Sequence, residues 1–368
     1  MGDIEIKIAH CADLHVGSSS NTSEILKSFY NLIEICTNPD INILLISGDL
    51  FDSLDVSQDD LNIVKNELKN IKIPVYISPG NHDPYISNTI YDTEWPENVH
   101  IFKSSKINFF EIPEHETRIY GAGFNDIYEL ESLFKADNNL DKNYINICTI
   151  HGDIYNSQSK LYNNISLNDI KNSNFDYIAL GHIHKRTEPQ KIGNTWYAYS
   201  GSIMSMGSDE IGNKGIYVGT ISKNRCDLEF QKTCYCTYEK VHIDATNAHN
   251  HDEIAQKIVD FISKFDNSKQ NFYEIYIIGE LPEDLILNTD YIKNILIKDF
   301  YRIKIYDETH VKIDIEKLRY RKDLQGMFVN KLLNKIENTE NTDEQKLYQE
   351  ALKIGLRAFD NEVFCDGN

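Results

Sequence analysis

No apolar run in the chain approaches the roughly 20 residues that a membrane span requires, which argues against a helical integral membrane protein. The N-terminal stretch MGDIEIKIAH lacks the basic segment and long apolar segment of a secretory leader and reads as a strand. Cysteine is sparse, odd in number and scattered: seven in 368 residues. That pattern speaks against a disulfide framework and for reduced thiols in a cytoplasmic compartment, with Cys11, Cys36, Cys148 and Cys226 bordering apolar strand or helix positions. Cys234 and Cys236 have no second cysteine pair nearby to complete a tetrahedral site, so strand packing is expected there. Positive charge is in deficit, 37 Lys and Arg against 57 Asp and Glu, a net charge of −20. A free-standing electrostatic nucleic-acid binder is disfavoured, because phosphate contacts supply most of such affinity. A DNA substrate would require metals, a local basic patch or a partner. There is no internal repeat.

What is present is a composition of 41% hydrophobic and 26% charged residues, that of a globular protein long enough for two or more domains. Ile4, Ile6 and Ile8 alternate as in a strand that ends at DLH. Ser23 precedes the helical stripe Ile25, Phe29, Leu32, Ile33, Cys36 as its expected N-cap. The run 41–46 reads as a buried strand ending at GD, followed by a helix through Ser57, Leu61, Val64 and Leu68. A strand at 73–77 ends at GNHD, and the runs 145–150 and 177–180 end at HGD and GHIH. Strands alternating with helices predict a βαβ layout, in which sites form at the carboxyl ends of strands. The two-period segments 196–200 and 215–221 read together as the second half of a sheet sandwich, its core closing near 240. From Val241 a strand, helix, strand (272–278), helix (289–299), strand (301–306) pattern predicts a small α/β cap. The tail predicts two amphipathic helices, one through Leu324, Phe328, Leu332 and Ile336, the other opened by a capping box Thr342-x-x-Gln345 and running through Leu347, Ala351, Ile354 and Phe359. They are expected to pack on their own chain, with an apolar face offered to a partner as the alternative. The domains expected are therefore 1–240, 241–315 and 316–368.

The chemistry lies at the strand ends: Asp13 and His15, Asp49, Asn81 with His82, His151, and His182 with His184. Five such fragments, each closing a predicted strand, fit a two-metal site that clamps the attacking and leaving oxygens of an in-line displacement at phosphorus. Such a pair requires a shared anionic ligand, and Asp49 is the natural bridge. Residues two apart on a strand share a face, so Asp13 and His15 are expected to point together, as are His182 and His184, one for each ion. Imidazoles, carboxylates and an amide without thiolate suit Mn, Fe or Zn better than Mg.

The pattern DxH, GD, GNHD, H and GHxH resembles that of the calcineurin-like metallophosphoesterases in full. The resemblance implies an α/β (α+β) fold, a four-layer αββα β-sandwich with the metals above strand ends. It also implies that Asp13, His15, Asp49 and His184 hold one ion and that Asp49, Asn81, His151 and His182 hold the other, with Mn(II) the metal. HCADLHVGS (10–18), GDLFD (48–52) and SGSIMSMGSDEIGNKGIYVGTI (200–221) are similar to the DNA repair exonuclease branch, SbcD/YhaO-like, and LQGMFVNKLL and EALKIGLRAF more loosely so. That branch implies DNA as substrate, an SbcC-like or YhaN-like coiled-coil ATPase docking on the tail helices, and a homodimer as a further assembly. The sequence departs from the eukaryotic and archaeal members in placing Asp52 where they carry His. With both ligand sets filled His82 is left over, and an imidazole beside the metals can protonate the leaving 3′ oxygen. Asp52 or Asp83 is expected to orient it. Lys185 and Arg186, next to GHIH, are placed to meet a substrate phosphate, whereas KLRYRK (317–322) reads as a solvated face. A phosphoesterase for small esters and a non-catalytic DNA-end tether are the competing functions.

Overall fold

The computed structural model describes residues 4–135, 140–154, 161–282, 285–300, 302–312 and 314–359. Tyr301, the expected start of a strand, and the tail residues beyond Phe359 lie outside them. The elements run β1 (Glu5–Cys11), α1 (Thr22–Cys36), β2 (Ile43–Ile46), α2 (Gln58–Asn70), β3 (Val75–Ile77), β4 (Val99–Ile101), β5 (Asn108–Ile112), β6 (Thr117–Ala122), β7 (Ile145–His151), α3 (Leu167–Ser173), β8 (Tyr177–Gly181), β9 (Gln190–Ile192), β10 (Thr195–Tyr199), β11 (Gly215–Ser222), β12 (Cys226–Lys232) and β13 (Tyr238–Asp244). They continue with α4 (His251–Ile262), β14 (Phe272–Leu281), α5 (Thr289–Leu296), β15 (Arg302–Val311), α6 (Ile315–Arg319), α7 (Leu324–Asn338) and α8 (Thr342–Phe359).

Two six-stranded sheets carry the fold, ordered β12-β11-β1-β2-β3-β4 and β5-β6-β7-β8-β10-β9. Their centres are parallel: β1 with β2, β2 with β3, β6 with β7, β7 with β8 and β8 with β10. The alternation of side chains explains the layering. Ile6, Ile8, Ile43 and Leu45 from the first sheet meet Ile145, Ile147, Tyr177 and Ala179 from the second in one core. Their neighbours point the other way. Ala9, Cys11, Leu44 and Ile46 pack on Ile25, Phe29 and Leu32 of α1 and Leu61, Val64 and Leu68 of α2, while Cys148, Ile150, Ile178 and Leu180 cluster with Ile170 of α3. The result is the four-layer αββα sandwich expected. Strands buried on both faces read as continuous apolar runs rather than alternating ones, as β2 and β8 do.

Several local expectations are corrected. β10 and β11 do not share a sheet: β10 pairs with β8, whereas β11 crosses to the first sheet and pairs antiparallel with β1. Helix α1 starts at Thr22, so Ser23 is inside it and Asn21 is the cap position; the Asn21 side chain is engaged by Tyr238 and Arg302 instead of capping. Ser57 does cap α2, accepting from the Asp60 N–H. Cys234 and Cys236 lie in the β12–β13 connection, not in a strand, and are buried free thiols.

By density of contacts the chain divides into two compact units, one of Met1–Ile243, Ala255–Tyr276 and Thr289–Tyr306, the other of Asp244–Ile254, Ile277–Asn288 and the residues from Asp307 on. The first unit holds both large sheets. In the second, α7 and α8 bury Val329, Leu352 and Leu356, with Phe328, Leu332 and Ile336 half-buried against them. Leu324, Leu347 and Ile354, expected on the packed stripe, are exposed at 72%, 64% and 50%. The cap of α8 is Asn341, whose Oδ1 accepts from the Asp343 and Glu344 N–H groups, and Gln345 turns back to the carbonyls of Ile336 and Thr339, so the box at Thr342 does not form. Among the described residues no helix is long and apolar enough to cross a membrane.

Candidate metal centre

Five chain segments leave the carboxyl ends of β1, β2, β3, β7 and β8 and converge. Asp13 and His15 do not sit on a strand, as i, i+2 alternation required. β1 ends at Cys11, and both residues lie in the loop beyond with positive φ, 53° and 50°. Asp49 (φ 50°) and His182 (φ 102°) are left-handed too. Non-glycine residues rarely accept this conformation, and each costs on the order of 1–3 kcal/mol that the surrounding packing must over-determine. The loops are tied: the Asp13 N–H donates to the Gly48 carbonyl (3.0 Å), and the Leu14 and His15 N–H groups both reach the Asp49 carbonyl (2.8 and 3.0 Å). Glycine is required where they cross. A Cβ on Gly80 would collide with the Asp49 side chain and backbone, and one on Gly48 (φ 94°) with the His151 ring.

The side chains gather in two overlapping groups. His15 Nε2 faces His184 Nε2 at 3.1 Å, with Asp13 Oδ1 3.8 Å from the latter. At the other end His151 Nε2 lies 3.0 Å from Asn81 Oδ1 and 3.3 Å from Asp49 Oδ2, and His182 Nδ1 lies 3.2 Å from the same Asn81 oxygen. Donor atoms of Asp13, His15 and His184 lie within 4.8 Å of one another, as do those of Asp13, Asp49 and His151. His182 and His184 thus reach opposite ends, as expected, though a turn after β8 and not strand alternation separates them. Buried carboxylates, imidazole nitrogens and an amide oxygen aimed at common points form a donor set that fits two divalent cations.

The buried carboxylates and imidazoles perturb one another strongly. Burial pushes the Asp13 carboxyl up, with Asp49 adding to it. Burial acts likewise on Asp49 but is outweighed by His151, which holds its carboxyl well below the usual range. Burial lowers the His151 pKa, yet the Asp49 charge overrides it and carries it up to about 9. Burial, helped by the neighbouring His151 charge, takes His182 down to about 3.

The remaining expected residues divide. His82 is exposed at the rim, its Nδ1 2.9 Å from the Asp52 carbonyl and its ring edge-on to His15 with centroids 4.7 Å apart. Asp52 therefore orients His82 through its backbone; its carboxylate faces His15 Nδ1 at 3.1 Å, off the line of a full hydrogen bond. The Asp83 carboxylate is engaged elsewhere. It is buried and accepts from the Gly80 N–H (2.8 Å), the Phe51 N–H (3.0 Å) and the Tyr91 hydroxyl, so it braces the turn. Arg186 pairs with Glu188 (2.8 Å), reaches the Tyr217 hydroxyl and covers the Phe230 ring, which engages it along the sheet instead of holding it ready for a phosphate. Lys185 is exposed. In KLRYRK, Arg319 pairs with Glu337 and Arg321 with Asp323 on a solvated face.

Three residues escaped the sequence reading. The Ser47 carbonyl fixes His151 Nδ1 (2.9 Å), the Tyr162 ring leans on His182 with centroids 5.0 Å apart, and Glu210 Oε1 meets His184 Nδ1 at 2.6 Å. Only Glu210 left a trace, as an acidic residue within the loop of small residues at 200–215.

Residues 6–186 match the family model described as calcineurin-like phosphoesterase. The chain is similar to the "Uncharacterized metallophosphoesterase YhaO" of Bacillus subtilis (strain 168), 28% identical over 280 residues, which are 71% of this chain and 68% of that protein. It is also similar to the SbcD component of the nuclease SbcCD of Staphylococcus epidermidis (strain ATCC 12228 / FDA PCI 1200), 24% identical over 255 residues, 60% of this chain and 67% of that protein.

Proposed function

We propose, from the premise that this chain carries a calcineurin-like metallophosphoesterase domain and is a phosphate-ester hydrolase, that it cleaves phosphodiester bonds of DNA in concert with an SbcC-like or YhaN-like coiled-coil ATPase. The observation that carries the reading is the convergence of seven donor side chains at five strand ends, four of them held in left-handed backbone. Asp13, His15, Asp49 and His184 take one ion; Asp49, Asn81, His151 and His182 take the other. The mixed nitrogen and oxygen set suits Mn, Fe or Zn over Mg, and the family resemblance points among these to Mn(II). Bound ions supply Lewis acidity and a water of lowered pKa, and spread the charge of the transition state.

The chain's own residues do the rest. The fixed loops hold the donors so that little reorganisation accompanies binding. His82, steadied by the Asp52 carbonyl at the exposed rim, is the group that hands a proton to the departing 3′ oxygen. Residues 1–240 form the nuclease domain, 241–315 a cap, and the helices after 316 the docking element for the ATPase. Similarity to a nuclease component supports the DNA assignment. The six described cysteines, all free, suit a reducing cytoplasm.

The test is release of nucleotides from linear DNA by the purified chain, alone and with the ATPase, in Mn(II) and in chelator. Absence of manganese-dependent release in both settings sinks the assignment. A net charge of −20 and the engagement of Arg186 along the sheet favour a second reading, hydrolysis of small phosphodiesters. A parallel assay on bis-p-nitrophenyl phosphate and cyclic nucleotides separates the two.

A further inference from the structure

Glu210 lies in the β10–β11 connection, outside the five strand-end fragments, and its Oε1 makes the shortest side-chain to side-chain contact to any of the seven donors, 2.6 Å to His184 Nδ1. An ionised carboxylate only accepts, so Nδ1 carries the proton and the neutral ring presents its Nε2 lone pair on the opposite side. That side is where His15 Nε2 and Asp13 Oδ1 lie, at 3.1 and 3.8 Å.

The carboxylate is itself held from three directions. Lys214 Nζ is 3.0 Å from Oε2, and the Ser202 hydroxyl and the Met206 N–H donate to the same oxygen at 3.3 Å. Lys214 Nζ also donates to the His184 backbone carbonyl at 2.8 Å, so one ammonium fixes both the carboxylate and the residue it steers. The Glu210 side chain is 16% exposed and that of Lys214 9%, which keeps water from competing strongly for these bonds.

Among the described residues the opposite end has no such carboxylate behind its imidazoles. His151 Nδ1 is held by a neutral carbonyl, that of Ser47, and His182 Nδ1 is turned inward to Asn81. A carboxylate behind a ligating imidazole raises its basicity and locks its orientation, and its removal costs 10- to 100-fold in metal affinity. The Asp52 carboxylate facing His15 Nδ1 at 3.1 Å adds a second negative group behind the same end.

We propose that Glu210 is the positioning residue of His184, and that it makes the Asp13, His15, His184 end the tighter of the two ion sites, so that the ions load in order. The inference rests on the two-ion reading above.

Its test is calorimetric titration of the full chain with Mn(II), beside nitrogen-15 spectra of the histidine rings. The wild-type chain shows two binding events, and the His184 ring the Nδ1–H tautomer. Glu210→Ala weakens the tighter event by about 10- to 100-fold, leaves the weaker one in place and mixes the His184 tautomers. Glu210→Gln, which keeps an acceptor of the same shape without the charge, falls between the two and serves if the alanine variant does not fold. A tighter event unchanged in both variants overturns the proposal, and so does an equal loss of both events, which makes Glu210 a general brace. A wild-type chain that takes up no Mn(II) instead defeats the two-ion reading beneath it.

Discussion

The Tyr91 hydroxyl donates to Asp83 Oδ2 across 2.6 Å, with both side chains fully buried beneath the turn that carries Asn81 and His82. Through the Gly80 and Phe51 N–H groups the same carboxylate joins that turn to the loop after β2. Burial first, then the Asp49 charge, pushes its pKa up to about 6, so this carboxylate depends on its donors. Tyr91→Phe should lower unfolding free energy by about 1.5–3 kcal/mol, the range for a hydrogen bond to a charged group, as measured by urea titration.

His82→Ala should lower turnover on a phosphodiester by about 10²- to 10⁴-fold, the usual contribution of a positioned acid or base. Its Mn(II) content, measured by atomic emission, should match wild type, because His82 lies outside both donor groups proposed for the ions. A parallel loss of metal would make it a ligand.

His10 gives the pH prediction. It is fully buried; Nε2 donates to the Leu180 carbonyl (3.2 Å), and in the neutral ring Nδ1 accepts from the Tyr177 hydroxyl (2.9 Å). Burial takes its pKa down to about 3 from 6.5, with the carbonyl opposing. Between these values the unfolded chain binds a proton that the folded chain refuses. Stability is therefore complete above pH 6.5 and falls as pH drops toward 3, by up to about 1.4 kcal/mol per pH unit from this group. In chelator, His10→Gln should show a shallower slope of unfolding free energy against pH between those limits.

The tail helices separate packing from docking. Leu356→Ala removes a buried side chain and should cost about 2–5 kcal/mol in the unit of α7 and α8. Leu347→Ser and Ile354→Ser change exposed positions and should stay within about 0.5 kcal/mol of wild type. If the ATPase docks there, the serine pair loses co-purification with it while stability holds.

The site was more legible than its geometry. Asp13, Asp49, Asn81, His151 and His184 stand out because each follows an apolar run, and strand ends are where open sheets place function. Alternation along a strand, the argument for pairing Asp13 with His15, failed because a residue with positive φ leaves no mark in a sequence unless it is glycine. β2, β7 and β8 were visible as apolar runs and β1 as an alternating one, whereas β5, with Asn108, Phe109 and Glu111 exposed, carries no such signal. The crossing of β11 to the first sheet, and the reach of Glu210 to His184, are decided by contacts far apart in the chain. Periodicity does not encode those.

Four of the seven donors, Asp13, His15, Asp49 and Asn81, follow strands of one sheet, and His151, His182 and His184 belong to the other. Directly below them Ser47 Oγ meets Thr149 Oγ1 at 2.9 Å and the Ala179 carbonyl at 3.0 Å, a polar stitch between the sheets. A partly folded chain with one sheet formed therefore offers only half a chelate. If divalent ions bind there, they favour the closed sandwich over species with one sheet formed, and add RT ln(1 + [L]/Kd) to its stability. Starving a cell of the metal would then shorten the life of the protein as well as silence it, and its abundance would follow the metal supply.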